Sequence, residues 1–577
     1  MNERIPRPLP NVAEDPAGAR RYLAMVMVVT AIAAFWTYRQ LPAAHFQSEI
    51  DVIRASAARN IAEWFPDFTD TAKMINAPAL FTSGTSLPGV WLYHVAMQLL
   101  VGPSPGWQMV IAGLLHLFTA FCVSLLVVSV TGDRKSAWAG AVFALHPAVG
   151  DLSATFSNGP AILCTLWVVQ SGRSFARFVK FRAYPQLFIC ALCVFMAVGT
   201  DPIGLFAIPL IIGVNFAVAP ELRRARVAER AVAILTCVTS VMMFYIALEA
   251  IKLPFGQGNP IDLVVAANRP MAIGRGLLFA LKALTLPMVT ADIAAVMGAF
   301  LGTALLSVAV FRGLDEPRRF VPVMLFLPAV MVSLPFLTDP AADAPQRAVG
   351  YLMPLLCASW IAGDIISAFR KPGRTMVLVG SLVVVMALFA NARMQLPLVR
   401  GERVKAVGDE VHRIYNRLTN EADIYLIDDG YDRAALLAGH LDFVYRYGLT
   451  RQTRISLVDG GFMLAGSNDA PVGYLNGGMR LEVTDSMVFI GWDRSHEGLF
   501  QLDELIEHQL SRAEQFMQET SFRTAPFSLG GEGAVRAWPI RSSTEPSGPR
   551  STYQWYIEAP ISRLHPLVGN KLDDWFT

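Results

Sequence analysis

WQMVIAGLLHLFTAFCVSLLVVSVT, residues Trp107–Thr131, contains no Asp, Glu, Lys or Arg and is closed by Gly132-Asp133-Arg134-Lys135. As a helix it would measure about 37 Å, more than the hydrocarbon thickness of a bilayer. A run of this length with a basic flank reads as a membrane span whose C-terminal end faces the cytoplasm.

The whole chain repeats that pattern. It has 577 residues, 54% hydrophobic and 16% charged, which excludes an ordinary soluble enzyme. Mean hydropathy is +0.42. The 48 basic and 46 acidic side chains are too many for a uniformly embedded protein, so they must be concentrated outside lipid. Residues 22–392 read as apolar spans with short loops, whereas 393–577 contains no span-length apolar run. A net charge of +2 gives no global footprint for nucleic acid. All six cysteines lie in apolar segments, so no structural disulfide is expected, and Cys190-x-x-Cys193 reads as packing.

Residues 1–21 read as a cytoplasmic N-terminal segment, and Tyr22–Tyr38 as a retained first span without a cleavage site. Further apolar segments fall near 107–131, 137–149, 158–170, 187–199, 202–219, 231–252, 289–311, 320–337, 349–368 and 375–392. Basic residues gather in alternate connections, among them Arg173, Arg177, Lys180 and Arg182, then Arg312, Arg318 and Arg319. The positive-inside rule places these in the cytoplasm and predicts about eleven crossings with the tail outside. Counting Val90–Val101 as a crossing would reverse the order, so 88–102 is read as a helix along the outer surface. It lies in a long first external loop, 40–106, that carries Glu49, Asp51, Glu63, Asp67 and Asp70.

In the tail, Glu410–Leu418, Ala434–Tyr447 and Leu502–Gln518 are helix-like, and Ile424–Ile427, Ile455–Val458, Met487–Trp492 and Thr552–Ile557 are strand-like. Residues 523–551 read as irregular. The alternation predicts an extracytoplasmic α/β domain over 393–577. Asp428-Asp429 ends its first strand, where a turn with solvated carboxylates is favoured over a ligand site. Gly460-Gly461 and Gly477-Gly478 read as turns, and the tail has no Walker loop, nucleophile elbow or His/Cys metal spacing.

Ionisable residues at the outer ends of spans are costly near lipid and therefore candidates for function. They are Glu49, Asp51, His146, Asp151, Asp201, Arg347 and Tyr351. Each one singly also has an ordinary reading, as a helix cap or an interfacial anchor.

The strings Phe46-Gln-Ser-Glu49-Ile-Asp51, Phe143-Ala-Leu-His146-Pro147-Ala-Val-Gly-Asp151, Thr200-Asp201, Asn259-Pro260, Ala280-Leu-Lys-Ala-Leu-Thr-Leu-Pro287 and Arg347 with Tyr351-Leu-Met-Pro354 occur in an order. That order resembles polytopic glycosyltransferases of the GT-C superfamily. It is most similar to the membrane region of the O-mannosyltransferases that carry tetratricopeptide repeats, over residues 20–395 and without the repeats.

The resemblance implies a sugar donor carried on polyprenyl phosphate and an acceptor that is a lipid, a polysaccharide or a protein. Glu49 matches the base, with Asp51 as its substitute or as ligand to a divalent cation. His146 and Arg347 would face the donor phosphate. Asp151 and Asp201 would orient them or bind sugar, and Tyr351 belongs to the same donor group. The chain departs from the pattern at Glu49-Ile50, where paired acids are expected, at Leu87, where an Arg precedes Pro, and at Thr200, where a Lys precedes the acid. Arg347, Lys282, Arg269 and Arg275 are the candidates to supply the missing charge.

The residues also admit a catalytically silent GT-C-like scaffold in an envelope or polysaccharide assembly complex, with a protein partner docked on 393–577. A third reading, a transporter or flippase, is disfavoured because the charges cluster at the outer boundary and no inverted repeat is visible. Charge and topology place the tail outside the membrane, and the absence of an endoplasmic-reticulum retention motif favours the bacterial inner membrane, with the C-terminal domain periplasmic.

Overall fold

An uncharged run in lipid must satisfy its own backbone, so long apolar segments become helices. The computed structural model describes residues 16–64, 87–218, 227–251, 264–265, 267–285, 292–315, 317–338, 344–369 and 372–417, and then one helix and eleven short strands between 423 and 555. By length and composition, six described helices can cross a membrane: Arg20–Ala43, Pro105–Thr131, Val227–Phe244, Arg319–Leu337, Arg347–Ser367 and Val377–Arg413. A seventh is added if the bent pair Pro147–Ala154 and Phe156–Phe181 counts as one span. The chain is a multi-pass membrane protein. Set against the eleven expected crossings, Pro88–Val101, Tyr184–Thr200, Pro202–Val218 and Val296–Phe311 are shorter apolar helices.

Contacts divide the chain into two compact units: Met1–Ala44 with Arg54–Leu398, and His45–Ile53 with Val399–Thr577. In chain order the helices are α1 (Pro16–Tyr38), α2 (Glu49–Trp64), α3 (Pro88–Val101), α4 (Pro105–Thr131), α5 (Trp138–Leu145), α6 (Gly159–Phe181), α7 (Tyr184–Thr200), α8 (Ala207–Val218), α9 (Val227–Ile251), α10 (Pro270–Thr285), α11 (Asp292–Asp315), α12 (Pro317–Leu337), α13 (Ala344–Ser367), α14 (Pro372–Arg417) and α15 (Arg433–Tyr447). Helices α2 and α14 each contribute residues to both units.

In the first unit, small residues set the helix spacing. A Cβ on Gly140 of α5 would strike Ser124 and the Ala120 carbonyl of α4, so only glycine permits that approach. Ser124 Oγ donates to the Ala137 carbonyl at 2.7 Å across the same contact. Cys190 of α7 meets Cys237 of α9 thiol to thiol at 3.5 Å. The apolar run near 137–149, expected as a crossing, is helical only over α5. Pro147 lacks the N–H that an α-helix would use there, and the chain makes three 3-10 turns, Pro147–Val149, Leu152–Ala154 and Phe156–Asn158.

In the second unit, β1 (Asp423–Asp428) pairs in parallel with β2 (Ile455–Asp459) and with β6 (Met487–Asp493). β7 (Gly498–Gln501) is antiparallel to β6, giving the order β2-β1-β6-β7. Helix α15 lies between β1 and β2 in sequence, the connection that parallel neighbours require. A second sheet, in the order β10-β11-β3-β4-β5, joins β3 (Phe462–Ser467), β4 (Ala470–Leu475), β5 (Met479–Glu482), β10 (Ile540–Arg541) and β11 (Tyr553–Trp555). Residues 523–551, read as irregular, include three two-residue strands, β8 (Phe527–Ser528), β9 (Arg536–Ala537) and β10. The helix expected at Leu502–Gln518 and the turns at Gly460-Gly461 and Gly477-Gly478 lie outside the described residues.

The end of α14 packs on α15 through Gly408 and Gly439. Arg446 then forks between two carboxylates. Its Nε donates to Asp442 Oδ2 at 2.8 Å, its Nη2 meets the same oxygen at 2.6 Å, and its Nη1 donates to Asp409 Oδ1 at 2.6 Å. Burial pushes the Asp442 carboxyl up to about 6 in spite of the guanidinium beside it. Removing the cation leaves Asp442 buried and unpaired. Because Arg446 is itself partly exposed, Arg446→Ala is expected to cost about 2–3 kcal/mol, below the range for fully buried pairs. Faster hydrogen exchange of the α15 amides would report that loss, and unchanged exchange would contradict the clamp.

Candidate functional site

Residues 146–158 form a largely buried stretch of 3-10 turns between α5 and α6, and Pro147–Ala154 meets Phe156–Phe181 at 104°. Its backbone satisfies itself through short-range bonds: Val149 N–H to the His146 carbonyl at 3.2 Å, Gly150 to Pro147 at 3.2 Å, Ala154 to Asp151 at 3.2 Å and Asn158 to Thr155 at 3.2 Å. Both ring nitrogens of His146 are engaged. Nδ1 accepts from the Ala148 N–H at 3.1 Å, which leaves Nε2 to carry the proton and donate to the Leu284 carbonyl at 3.0 Å. His146 therefore ties this stretch to the end of α10.

Asp151, 1% exposed, meets Arg393 of α14, with Nε 3.5 Å from Oδ2. The adjacent glycine makes the approach possible. A Cβ on Gly150 would lie 2.9 Å from the Ala390 Cα and 2.9 Å from its carbonyl oxygen, so the backbones of this stretch and of α14 are in direct contact one turn before Arg393. Helix α14 also holds the end of α1. Asn391 Nδ2 donates to the Thr37 carbonyl at 3.1 Å, and Gln395 Nε2 to Gln40 Oε1 at 2.7 Å. Tyr38 closes the back of the cluster by donating to the Ala144 carbonyl at 3.1 Å.

Arg347 and Tyr351 stand one turn apart on α13 and so share a face. Tyr351 is within electrostatic reach of Arg393, Arg347 and Asp151, and Arg393 is within reach of His146. The structure thus gathers His146, Asp151, Arg347 and Tyr351 into one neighbourhood. Arg347 Nε is buried and has no hydrogen-bond partner among the described residues.

Asp201 belongs to a different set. Its Oδ1 accepts from the Ile203 N–H at 3.0 Å, capping the 3-10 turn Pro202–Phe206, and its nearby cation is Arg54 of α2. Arg54 Nη1 also donates to the Ser157 carbonyl at 3.3 Å. Burial raises the Asp201 carboxyl to about 7, opposed by the Ile203 bond and by Arg54. His94 of α3, stacked 4.7 Å from Phe156, lies within electrostatic reach of the same arginine.

Glu49 and Asp51 belong to the second compact unit. Glu49 opens α2, and its side chain is outside the described residues. Asp51 is 0% exposed and works as part of a helix cap. Its N–H donates to Ser48 Oγ at 3.3 Å while its Oδ2 accepts from the Gln47 N–H at 3.1 Å, a reciprocal N-terminal box. Among the described residues no group of three His, Cys, Asp or Glu side chains is arranged to hold a metal ion.

Of the cations named to replace the missing charges at Leu87 and Thr200, Arg347 stands in the cluster beside Tyr351. Arg269 and Arg275 are exposed, while Arg393 and Arg54 stand beside the buried acids. Arg393 carried a weak signal: it is the first cation after the last apolar run, one residue past the point where hydropathy falls.

No protein-family model matches this chain, and no curated protein matches it. Among solved structures it is similar to ArnT from Cupriavidus metallidurans in the apo state, at 12% identity and a TM-score of 0.45, over 74% of this chain and 85% of that one. It is likewise similar to ArnT from Cupriavidus metallidurans bound to undecaprenyl phosphate, at 13% identity and a TM-score of 0.44, over 73% of this chain and 84% of that one.

Two outcomes follow from the packing. Gly150→Ala forces the stretch away from Ala390 and is expected to cost about 1–3 kcal/mol, as overpacking does, visible as a lowered thermal midpoint in detergent. Asp201 holds its proton more tightly folded than unfolded, since its value lies above the ordinary 3.8. Its contribution to stability is complete below about pH 4 and is lost as pH rises through about 7. Asp201→Asn should therefore flatten the decline in thermal midpoint between about pH 4 and pH 7, and an unchanged slope would exclude Asp201 as its source.

Proposed function

We propose that this chain is a GT-C-like glycosyltransferase that moves a sugar from a polyprenyl-phosphate donor to a lipid, polysaccharide or protein acceptor on the outer face of the membrane. The observation that carries the reading is the gathering of Arg347, Arg393, Tyr351 and Asp151 around the buried stretch 146–158. Arg347 sits in the first turn of α13, where the helix dipole disfavours a cation unless an anion is present. A buried guanidinium nitrogen with no partner among the described residues likewise calls for an oxyanion. A phosphate meets both needs, and the phenol of Tyr351 can donate to it.

In this reading Arg347, Arg393 and Tyr351 hold the donor phosphate. His146 and Asp151 position them, His146 through the Leu284 carbonyl and Asp151 through Arg393. Asp201, with Arg54, shapes a neighbouring polar surface for sugar. The base that takes the acceptor proton is Glu49, an assignment that rests on the sequence resemblance, and Asp51 supports the helix that carries it. Residues 393–577 would form an extracytoplasmic α/β domain that recognises the acceptor or an envelope protein. The host membrane would be a bacterial inner membrane, crossed about eleven times.

Purified protein incubated with labelled polyprenyl-phosphate sugars and an envelope extract should transfer label. Glu49→Gln should abolish transfer while leaving donor binding intact, and Arg347→Gln should weaken donor binding at least tenfold, the loss typical of one charge-assisted contact. Normal transfer by the Glu49→Gln protein would remove Glu49 from the mechanism, and unchanged donor affinity in Arg347→Gln would remove the phosphate site from α13.

A further inference from the structure

His94 of α3 is 1% exposed, and neither of its ring nitrogens has a hydrogen-bond partner among the described residues. Burial, and then the charge of Arg54, hold the imidazole well below its ordinary pKa. It is therefore neutral, with one N–H donor and one lone pair. A buried polar group left unpaired costs stability, and an apolar ring of similar shape would fill the same place without that cost. The imidazole is nonetheless held firmly. It stacks on Phe156 at 4.7 Å and 19°, and Tyr93 meets it edge to face at 5.2 Å. Tyr93 in turn covers Gly159, where a Cβ would strike its ring. At the start of α3, a Cβ on Gly89 would strike Thr200 and the Gly199 carbonyl. Helix α3 is thus clamped to the stretch 146–158 and to the residues just before Asp201.

The surroundings of the ring select the kind of ligand that would pair it. Phe156 belongs to the same run of turns as His146 and Asp151, so a molecule anchored by its phosphate near Asp151 can be read at the other end of the run. The next residue, Ser157, gives its carbonyl to Arg54, and Arg54 is the cation near Asp201. A second anion would meet the Asp201 carboxyl there, and a cation would meet Arg54. An uncharged group rich in hydroxyls suits both, because each hydroxyl donates and accepts, as a neutral imidazole does. Resting on the donor reading above, we propose that His94 is a specificity-determining residue that selects the sugar of the donor, one ring nitrogen donating to a sugar hydroxyl and the other accepting from one. A donor without the sugar leaves the imidazole unpaired. Sites built to hydrogen-bond a hydroxyl reject analogues that lack it for that reason.

The test compares decaprenyl phosphate esterified with a hexose, an N-acetylhexosamine or a pentose with its methyl ester, which has the same single charge and no hydroxyl. Binding of each to the full-length protein in detergent is measured. At least one sugar ester is expected to bind about tenfold tighter than the methyl ester. His94→Phe keeps an aromatic ring against Phe156 and removes both nitrogens. It should reduce that preference to roughly twofold or less, while the affinity for the methyl ester is unchanged and the thermal midpoint is unchanged or higher. His94→Gln keeps a donor and an acceptor and should retain part of the preference. No preference for any of the sugar esters, or a preference that survives in His94→Phe, overturns the role of His94 and leaves the phosphate site standing. A His94→Phe protein that fails to fold would show that the ring nitrogens serve the fold, and overturns it likewise. Failure of every ester, the methyl ester included, to bind would overturn the donor reading itself.

Discussion

A non-helical backbone buried among apolar helices must satisfy its own polar groups, because neither lipid nor water is there to do so. Residues 146–158 meet that demand with successive 3-10 turns and with the His146 ring, which accepts from one backbone N–H and donates to a carbonyl on another helix. Nearly everything of chemical interest in the first unit is attached to this stretch. Gly150 lets α14 press against it, Asp151 receives Arg393, and Ser157 receives Arg54.

The electrostatic consequence is a division of labour among cations. Arg393 stands beside a carboxylate, while Arg347, one turn from Tyr351, keeps a buried nitrogen without a partner among the described residues. Arg393 of α14 and Arg54 of α2 stand beside the buried acids Asp151 and Asp201, and Arg347 of α13 stands near Tyr351. A cation's position in the chain is less constrained than its position in space, since any helix end that reaches the site can present it.

How far the molecule was legible can be judged from particular residues. Trp107–Thr131 declared a helix because nothing else satisfies an uncharged backbone in lipid. The break after Leu145 was hidden inside an apolar run, 137–149, whose hydropathy does not change at Pro147. Arg393 was hidden by the opposite circumstance. Hydropathy ends near 392, yet α14 runs on to Arg417, because helix continuity depends on backbone bonds and not on apolar content. The strands at Asp423–Asp428, Ile455–Asp459 and Met487–Asp493 coincide with short apolar runs, but their order β2-β1-β6-β7 is a long-range pairing that no local pattern encodes. The antiparallel strands between Phe462 and Glu482 were missed because their runs are short and interrupted by glycine. Asp51, read as a substitute base or cation ligand, has its N–H on Ser48 Oγ and its Oδ2 on the Gln47 N–H at the start of α2.

The central claim is that a lipid phosphate is held where the 146–158 stretch meets α13 and α14. The most direct measurement is photocrosslinking in native membranes with a polyprenyl phosphate whose headgroup carries a diazirine, followed by peptide mapping. Label is predicted in peptides containing His146–Asn158, Arg347–Tyr351 and Ala390–Arg393, and to be displaced by unmodified polyprenyl phosphate. Displaceable label confined to other segments, with none in these three, would contradict the account.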